Sequence, residues 1–202
     1  MNGNTPLDLG VLRRAQRGDE QAFSLIVVGY QASVFNYVLR LVGDRGLAED
    51  LTQEVFLRVF QGLPGFSLRS TFKTWLFQVA KNRVLAEFRA RERRPRAVLD
   101  IEGALQIGSF DPPLERHELL DGVWRAVENL NVDLKMALLL RDVVGLSYAE
   151  IAEALEVAVP TVKWRIYEAR EDVQRALARE GIHGEGDGPN PVVVRLAVKG
   201  RG

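Results

Sequence analysis

No cysteine occurs in the 202 residues. Disulfides and thiolate metal sites are thereby excluded, and the absence fits a reducing compartment. Histidine is nearly as scarce: His117 and His183 are the two, and neither stands at metal-ligand spacing. No nucleophile motif and no glycine-rich phosphate loop is present. The carboxylates fall on helix faces with ordinary periodicity, so an enzyme is poorly supported and no metal or cofactor is expected. A long apolar run is also missing. The longest, such as Met136–Leu140, have the length of core pieces rather than bilayer spans. The first residues, MNGNTPLDLG, carry no basic segment followed by an apolar stretch and do not read as a signal peptide. A cytosolic (cytoplasmic) protein without membrane insertion is expected.

Net charge is lacking too, since 27 Lys and Arg balance 27 Asp and Glu. That argues against a free-standing DNA binder held by phosphate attraction. The distribution is less even than the total. Arg69, Lys73, Lys81, Arg83, Arg89, Arg91, Arg93, Arg94 and Arg96 form a basic stretch opposed only by Glu87 and Glu92. Upstream, Asp44, Glu49, Asp50 and Glu54 cluster with Arg45 as the sole base. A basic patch beside an acidic one hides in the neutral sum.

What is present in abundance is helical periodicity. Val11–Arg17 reads as a short helix. Asp19 can cap the next, which runs through Phe23, Ile26, Val27, Tyr30, Val34, Tyr37, Val38 and Leu41 to a stop at Gly43. A third carries Leu47, Leu51, Val55 and Val59, with Phe56 and Phe60 adjoining, and ends at Gly62, Pro64 and Gly65. A fourth starts near Ser70–Thr71, repeats Leu76, Ala80, Val84 and Phe88 at four-residue steps, and ends in arginines before Pro95. Residues 96–113 lack periodicity and hold Gly103, Gly108, Pro112 and Pro113, which reads as a linker. Further helices are expected over Leu119–Glu128, Asp133–Val143, Tyr148–Ala154 and Val159–Arg179. The fold class is therefore all-α: two small helical domains, 1–95 and 114–180, joined by a flexible linker. The tail 181–202 contains the strand-like Pro191–Val198, read here as a flexible end.

The strongest local signal lies in Gly145–Glu171. Ser147 can cap a helix whose inner face is Ile151, Ala152 and Leu155. After the turn Glu156–Ala158, the next helix puts Val159, Val162, Ile166 and Ala169 inward. Thr161, Lys163, Trp164, Arg165, Tyr167 and Glu168 remain on the opposite side. This is the layout of a helix-turn-helix, whose second helix offers its N-terminal residues to base edges. Repressors, two-component output domains and sigma factors all carry one, so the first domain must decide between them.

Leu41–Arg94 resembles the promoter-opening domain of sigma-70-type factors of the extracytoplasmic-function (ECF) group. The matching pieces are GD at Gly43–Asp44, AEDLTQEVFLRVF at Ala48–Phe60, TWL at Thr74–Leu76 and AKN at Ala80–Asn82. In the second domain LSYAEIAEAL at Leu146–Leu155, TVK at Thr161–Lys163 and AR at Ala169–Arg170 match the same family. The resemblance covers most of residues 8–178 in the family's order. It implies a protein that binds core RNA polymerase and directs promoter recognition, DNA opening and transcription initiation. Its implied partners are promoter DNA, the β′ clamp helices and the β flap of polymerase, and an anti-sigma factor.

Residue roles follow from the resemblance. Asp44, Glu49, Asp50, Gln53 and Glu54 would dock on the basic clamp helices of β′. Asp50 and Glu54 sit at like-charge four-residue spacing, a small cost that a basic partner would remove. On charge alone the same face reads as solvated, with Glu54 and Arg58 as an intrahelical pair. The loop Phe66–Thr71 (Phe66, Ser67, Ser70, Thr71) with Lys73, Lys81, Asn82 and Arg83 would read the minus-ten element. A base leaves the stack for a planar surface and polar edges. Trp75 reads as core. Thr161, Lys163, Trp164, Arg165 and Tyr167 would read the minus-thirty-five element.

The second domain departs from the family form in several places. Ala158 stands where Ser is common and lacks its cap. Pro160 replaces Gly, Trp164 replaces Ser, Glu168 replaces a base, and Lys135 replaces Arg. The competing readings are a helix-turn-helix regulator that binds duplex DNA without polymerase, and a protein-interaction module whose helix-turn-helix has lost DNA affinity.

Overall fold

The computed structural model describes residues 7–93 and 114–181, the side chains of 114–120 excepted. The expected linker 96–113 and the tail from 182, with His183 and Pro191–Val198, lie outside them. The described chain is helical, and it divides into two compact units. The first carries α1 to α4. The second carries α5, α6, α8 and the start of α7.

In the first unit α1 spans Leu9–Gln16 and α2 spans Glu20–Val42. Asp19 caps α2, accepting from the Ala22 amide at 3.0 Å, and this bond holds its carboxyl below the ordinary range. Gly43, at φ 73°, ends the helix with its amide on the Leu39 carbonyl. Both stops were legible in the sequence. The stripe Ala22, Ile26, Tyr30, Val34, Tyr37, Val38 and Leu41 is buried, each large member contributing roughly 1.5–3 kcal/mol. By length and composition alone α2 is apolar enough to cross a membrane, although polar residues interrupt its apolar runs. Its polar cap, its glycine stop and this buried stripe make it the central helix of a packed unit. Helix α3, Arg45–Gly62, packs on it through Ala48, Leu51, Val55 and Val59. A 3₁₀ turn, Leu63–Gly65, leads to α4, Phe72–Arg93, which buries Leu76, Phe77, Ala80 and Val84. Thr71 is the cap of α4: its hydroxyl accepts from the Thr74 amide at 3.1 Å.

In the second unit α5 spans Leu114–Glu128, starting earlier than its apolar spacing suggested. Helix α6, Val132–Leu139, gives way to a single π turn, Leu140–Val144, where continuous helix was expected. One wide turn leaves no mark in a 3.6-residue pattern. Helix α7, Tyr148–Leu155, begins with a capping box: the Ser147 hydroxyl accepts from the Glu150 amide (3.2 Å), and Glu150 accepts from the Ser147 amide (2.8 Å). Helix α8 spans Val159–Arg179 as expected and has no side-chain cap at Ala158. Lys135 is buried, and its ammonium donates to the Glu128 carbonyl at 2.6 Å, satisfying the end of α5. Burial pushes that ammonium's pKa down.

Ion pairs tie helices together in both units. In the second unit Arg170 donates to both oxygens of the fully buried Asp142, at 2.9 and 3.1 Å, fastening α8 to the π turn. In the first, Arg83 of α4 makes a two-pronged bond to Glu54 of α3 through Nε and Nη2. The same guanidinium reaches Glu87 at 3.2 Å, and Glu87 also accepts from Arg91 at 3.3 Å. The Arg83 side chain is 12% exposed, so these bonds work at reduced dielectric. Glu54 therefore pairs across helices with Arg83, whereas the charge pattern alone had offered Arg58 within α3 as its partner; Arg58 adds only a weaker electrostatic pull. The Arg83 hydrogen bond holds the Glu54 carboxyl below its ordinary value of 4.5.

Removing one partner of such a pair leaves the other poorly compensated. Arg83→Ala should cost about 2–3 kcal/mol and Glu54→Gln about 1 kcal/mol, the latter pair being half open to solvent. The two losses should be strongly non-additive in a double-mutant cycle. The Glu54 contribution should be complete above the ordinary carboxylate value and disappear as pH falls through its depressed folded value. Urea melts of the four proteins across acid pH measure all three; additive losses would dismiss the cross-brace.

Candidate nucleic-acid interface

The outward stripe of α3 is built by helical geometry. Positions 46, 50, 53 and 57 fall on one side, opposite buried Leu51, Val55 and Val59. Asp50 and Gln53 are exposed there, flanked by Glu49, which pairs with Arg45 at 3.1 Å. Asp44 caps α3, accepting from the Leu47 amide at 2.7 Å. Glu54 is turned toward Arg83. The sequence reading missed Leu57, which lies 57% exposed one turn beyond Gln53. Phe60, read as adjoining the apolar side of the helix, is 42% exposed and edge-packed on Phe23, 5.0 Å between centroids. An apolar residue in register with a polar stripe was the available signal. The face is thus acidic at its start and apolar at its end.

The loop before α4 corrects another expectation. Phe66 is 8% exposed, stacked on Trp75 at 4.8 Å and set edge-on to Phe72. Gln16 pins this segment, its amide donating to the carbonyls of Phe66 (2.8 Å) and Leu63 (3.3 Å). Gly62 leaves room for the indole, since a Cβ there would stand 3.2 Å from the ring. The Phe66 ring is therefore packing and not an open platform. Ser67 and Thr71 are exposed, and Ser70 and Lys73 are half-buried.

Along α4, Lys81 is 5% exposed and Arg83 is held by Glu54 and Glu87, so neither is placed to meet phosphates. Both lie toward the inner side of the helix, beside Ala80 and Val84. Asn82 points the other way and is exposed, on a stripe with Trp75 seven residues before it and Arg89 seven after. Trp75 is half-buried. It packs against Phe66 and Phe72, as its core reading requires, yet stands on the same outward stripe as Asn82.

Helix α7, the turn and α8 follow one another as the expected helix-turn-helix. Glu156 takes the left-handed conformation of the turn, φ 59°. Helix α8 buries Val162, Ile166, Ala169 and Val173. Lys163, Trp164 and Tyr167 are exposed and Thr161 is half-buried. Arg165 is displaced from the reading set, because its guanidinium donates to Asp133 at the start of α6, 2.9 Å away, and its side chain is mostly covered. Glu168 accepts from Arg175 at 3.0 Å, which moderates the repulsion it would offer to phosphate.

Both units match known sequences. Residues 26–94 match Sigma-70 region 2, and residues 120–173 match Sigma-70, region 4. The chain is 35% identical over 180 residues to the RNA polymerase sigma-H factor of Pseudomonas aeruginosa, across 84% of this chain and 93% of that one. It is 38% identical over 180 residues to the ECF RNA polymerase sigma-E factor of Escherichia coli K12, across 84% and 94%. Among solved structures, the sigma factor RpoE in complex with the anti-sigma factor NepR, from Bartonella quintana, superposes with a TM-score of 0.62 at 25% identity, over 77% of this chain and 96% of that one. CnrH, solved with the cytosolic domain of CnrY, shares the fold at a TM-score of 0.65 and 22% identity, over 84% and 96%. Two helical units matching regions 2 and 4 in order, with relatives aligned along nearly their whole length, decide what composition and a single helix-turn-helix left open. The chain belongs to the ECF group of the sigma-70 family: it is a sigma factor, a subunit that binds RNA polymerase and recognises promoters.

Proposed function

We propose that docking and strand opening belong to the first unit, residues 1–95, and duplex recognition to the second, 114–180. Separation of the exposed faces carries this reading. The α3 stripe of Asp50, Gln53, Leu57 and Phe60 docks on polymerase, with Glu49 at its edge and Asp44 setting the start of the helix. Carboxylates at one end suit the basic clamp helices of β′, and burying Leu57 at the other adds about 1.5 kcal/mol. Glu54 supports this face through Arg83. Strand capture falls to the loop before α4 and the outward stripe of that helix, where Ser67, Thr71 and Asn82 offer polar edges, Lys73 and Arg89 offer cations and Trp75 an aromatic edge. Thr161, Lys163, Trp164 and Tyr167 meet the minus-thirty-five duplex, and the β flap is a second polymerase contact. The protein acts in the cytoplasm, where polymerase and DNA are. Because RpoE of Bartonella quintana is bound by an anti-sigma factor, we infer an anti-sigma partner for this chain as well. The protein itself performs no chemistry in this scheme.

The docking face is tested by Asp50→Lys. Affinity for core polymerase should fall at least about tenfold, roughly 1.4 kcal/mol, while the melting temperature stays within about 2 °C. Titration of labelled protein with core reads this directly. Unchanged affinity would remove Asp50 from the interface.

The division of labour is tested by pairing Asn82→Ala with Lys163→Ala in the holoenzyme. A helix-turn-helix reads an intact major groove, so losing Lys163 should lower closed-complex occupancy. A base-capturing face gains its contacts only after unstacking, so Asn82→Ala should spare occupancy and reduce permanganate reactivity of unpaired thymines. A pre-melted template should rescue Asn82→Ala substantially and Lys163→Ala little. Full activity of Asn82→Ala on duplex promoters would exclude it from the site.

A further inference from the structure

We infer that Trp164 selects thymine in the duplex, through the C5-methyl group, so that this recognition helix reads part of its sequence by apolar contact. The inference rests on the reading of α8 as the minus-thirty-five helix and adds the chemistry that helix recognises.

The argument begins with what α8 no longer offers. Apart from the single indole N–H of Trp164, the hydrogen-bonding side chains of its first two turns are Thr161, Lys163 and Arg165. Arg165 is held by Asp133 and mostly covered. Thr161 is half-buried, and Ala158 and Pro160 bring no hydrogen-bonding side chain at all. Farther along, Arg170 is bound to buried Asp142 and Arg175 to Glu168 and Asp172. The polar vocabulary of the reading end is therefore small.

In its place stand two open rings. Trp164 is 59% and Tyr167 60% exposed, one turn apart. Trp164 is the sixth residue of α8, about 8 Å from its start, within the segment a recognition helix inserts into the groove. It lies almost directly opposite the buried Val162, Ile166, Ala169 and Val173, so it projects farthest from the core. An indole has one N–H donor and no acceptor, and it cannot make the paired hydrogen bonds that identify guanine or adenine. Base edges in the major groove are polar with a single apolar exception, the thymine methyl. That methyl is the group an exposed indole rewards by leaving water. Tyr167 keeps a hydroxyl and can serve either a base or a phosphate, which makes Trp164 the more selective ring.

The test replaces thymine by deoxyuridine, which removes the methyl and leaves every hydrogen-bonding group. Holoenzyme first selects a duplex upstream element from a randomised library. Each thymine on either strand of that element is then changed to deoxyuridine singly, and closed-complex dissociation constants are measured for wild type, Trp164→Ala and Trp164→Phe. One or two positions should weaken wild type about fourfold, the factor that burial of one carbon group supplies. Trp164→Ala should bind both duplexes equally, and Trp164→Phe should keep part of the difference. Because Trp164 is exposed, neither change should disturb folding. Indifference of wild type to deoxyuridine at every position would overturn the inference, as would a thymine preference that survives in Trp164→Ala. An indole reserved for a protein partner would give that same indifference. Lys163→Ala separates the two levels: loss of upstream occupancy with thymine indifference refutes this inference alone, whereas unchanged occupancy refutes the reading of α8 beneath it.

Discussion

Arg83 is the side chain on which both working faces of the first unit lean. Its guanidinium grips Glu54 on α3 and Glu87 on its own helix, and Glu87 in turn holds Arg91. The neighbouring residue, Asn82, points outward on α4, while the neighbours of Glu54 on the α3 stripe, Asp50 and Gln53, point outward on α3. A planar fork between two carboxylates fixes rotation and register together, which a single lysine ammonium would not do. The faces proposed for docking and for strand capture are therefore joined through one ion-pair group. Under the proposed scheme, docking through α3 would also orient α4.

The second unit repeats the device with different residues. Arg170 holds the buried Asp142 and Arg165 holds Asp133, so α8 is fastened at two heights. Among the described residues Arg14, Arg45, Arg83, Arg91, Arg125, Arg165, Arg170 and Arg175 are paired with carboxylates. With 27 cations against 27 carboxylates the chain has no net charge to hold it on phosphates, so weak nonspecific binding to duplex DNA is expected of the free protein. Under the proposed scheme, recognition is completed only in the complex with polymerase.

The fold was largely legible because helix ends announce themselves. Asp19, Gly43 and the Ser147–Glu150 capping box stop or start helices where their chemistry says they should, and α8 runs over the expected residues. The π turn and the early start of α5 were not legible, for neither alters apolar spacing. At the candidate site, residue types on the outward stripes were found: Asp50, Gln53, Asn82, Lys163, Trp164 and Tyr167 are all exposed. Phe66, Lys81, Arg83 and Arg165 were misplaced for a common reason. A sequence shows that a ring or a cation is present, but not whether another part of the chain already holds it. Phe66 meets Trp75 nine residues on, Arg83 meets Glu54 twenty-nine residues back, and Arg165 meets Asp133 thirty-two residues back.

The account stands most directly on run-off transcription. Purified core polymerase, with and without this protein, would be presented with a library of promoter fragments. Discrete transcripts with defined starts should appear only when the protein is present, and the free protein should show weak, salt-sensitive binding to the same fragments. Tight, sequence-specific binding by the free protein, with no new transcripts from core, would contradict the account and return the chain to the class of regulators that act on duplex DNA alone.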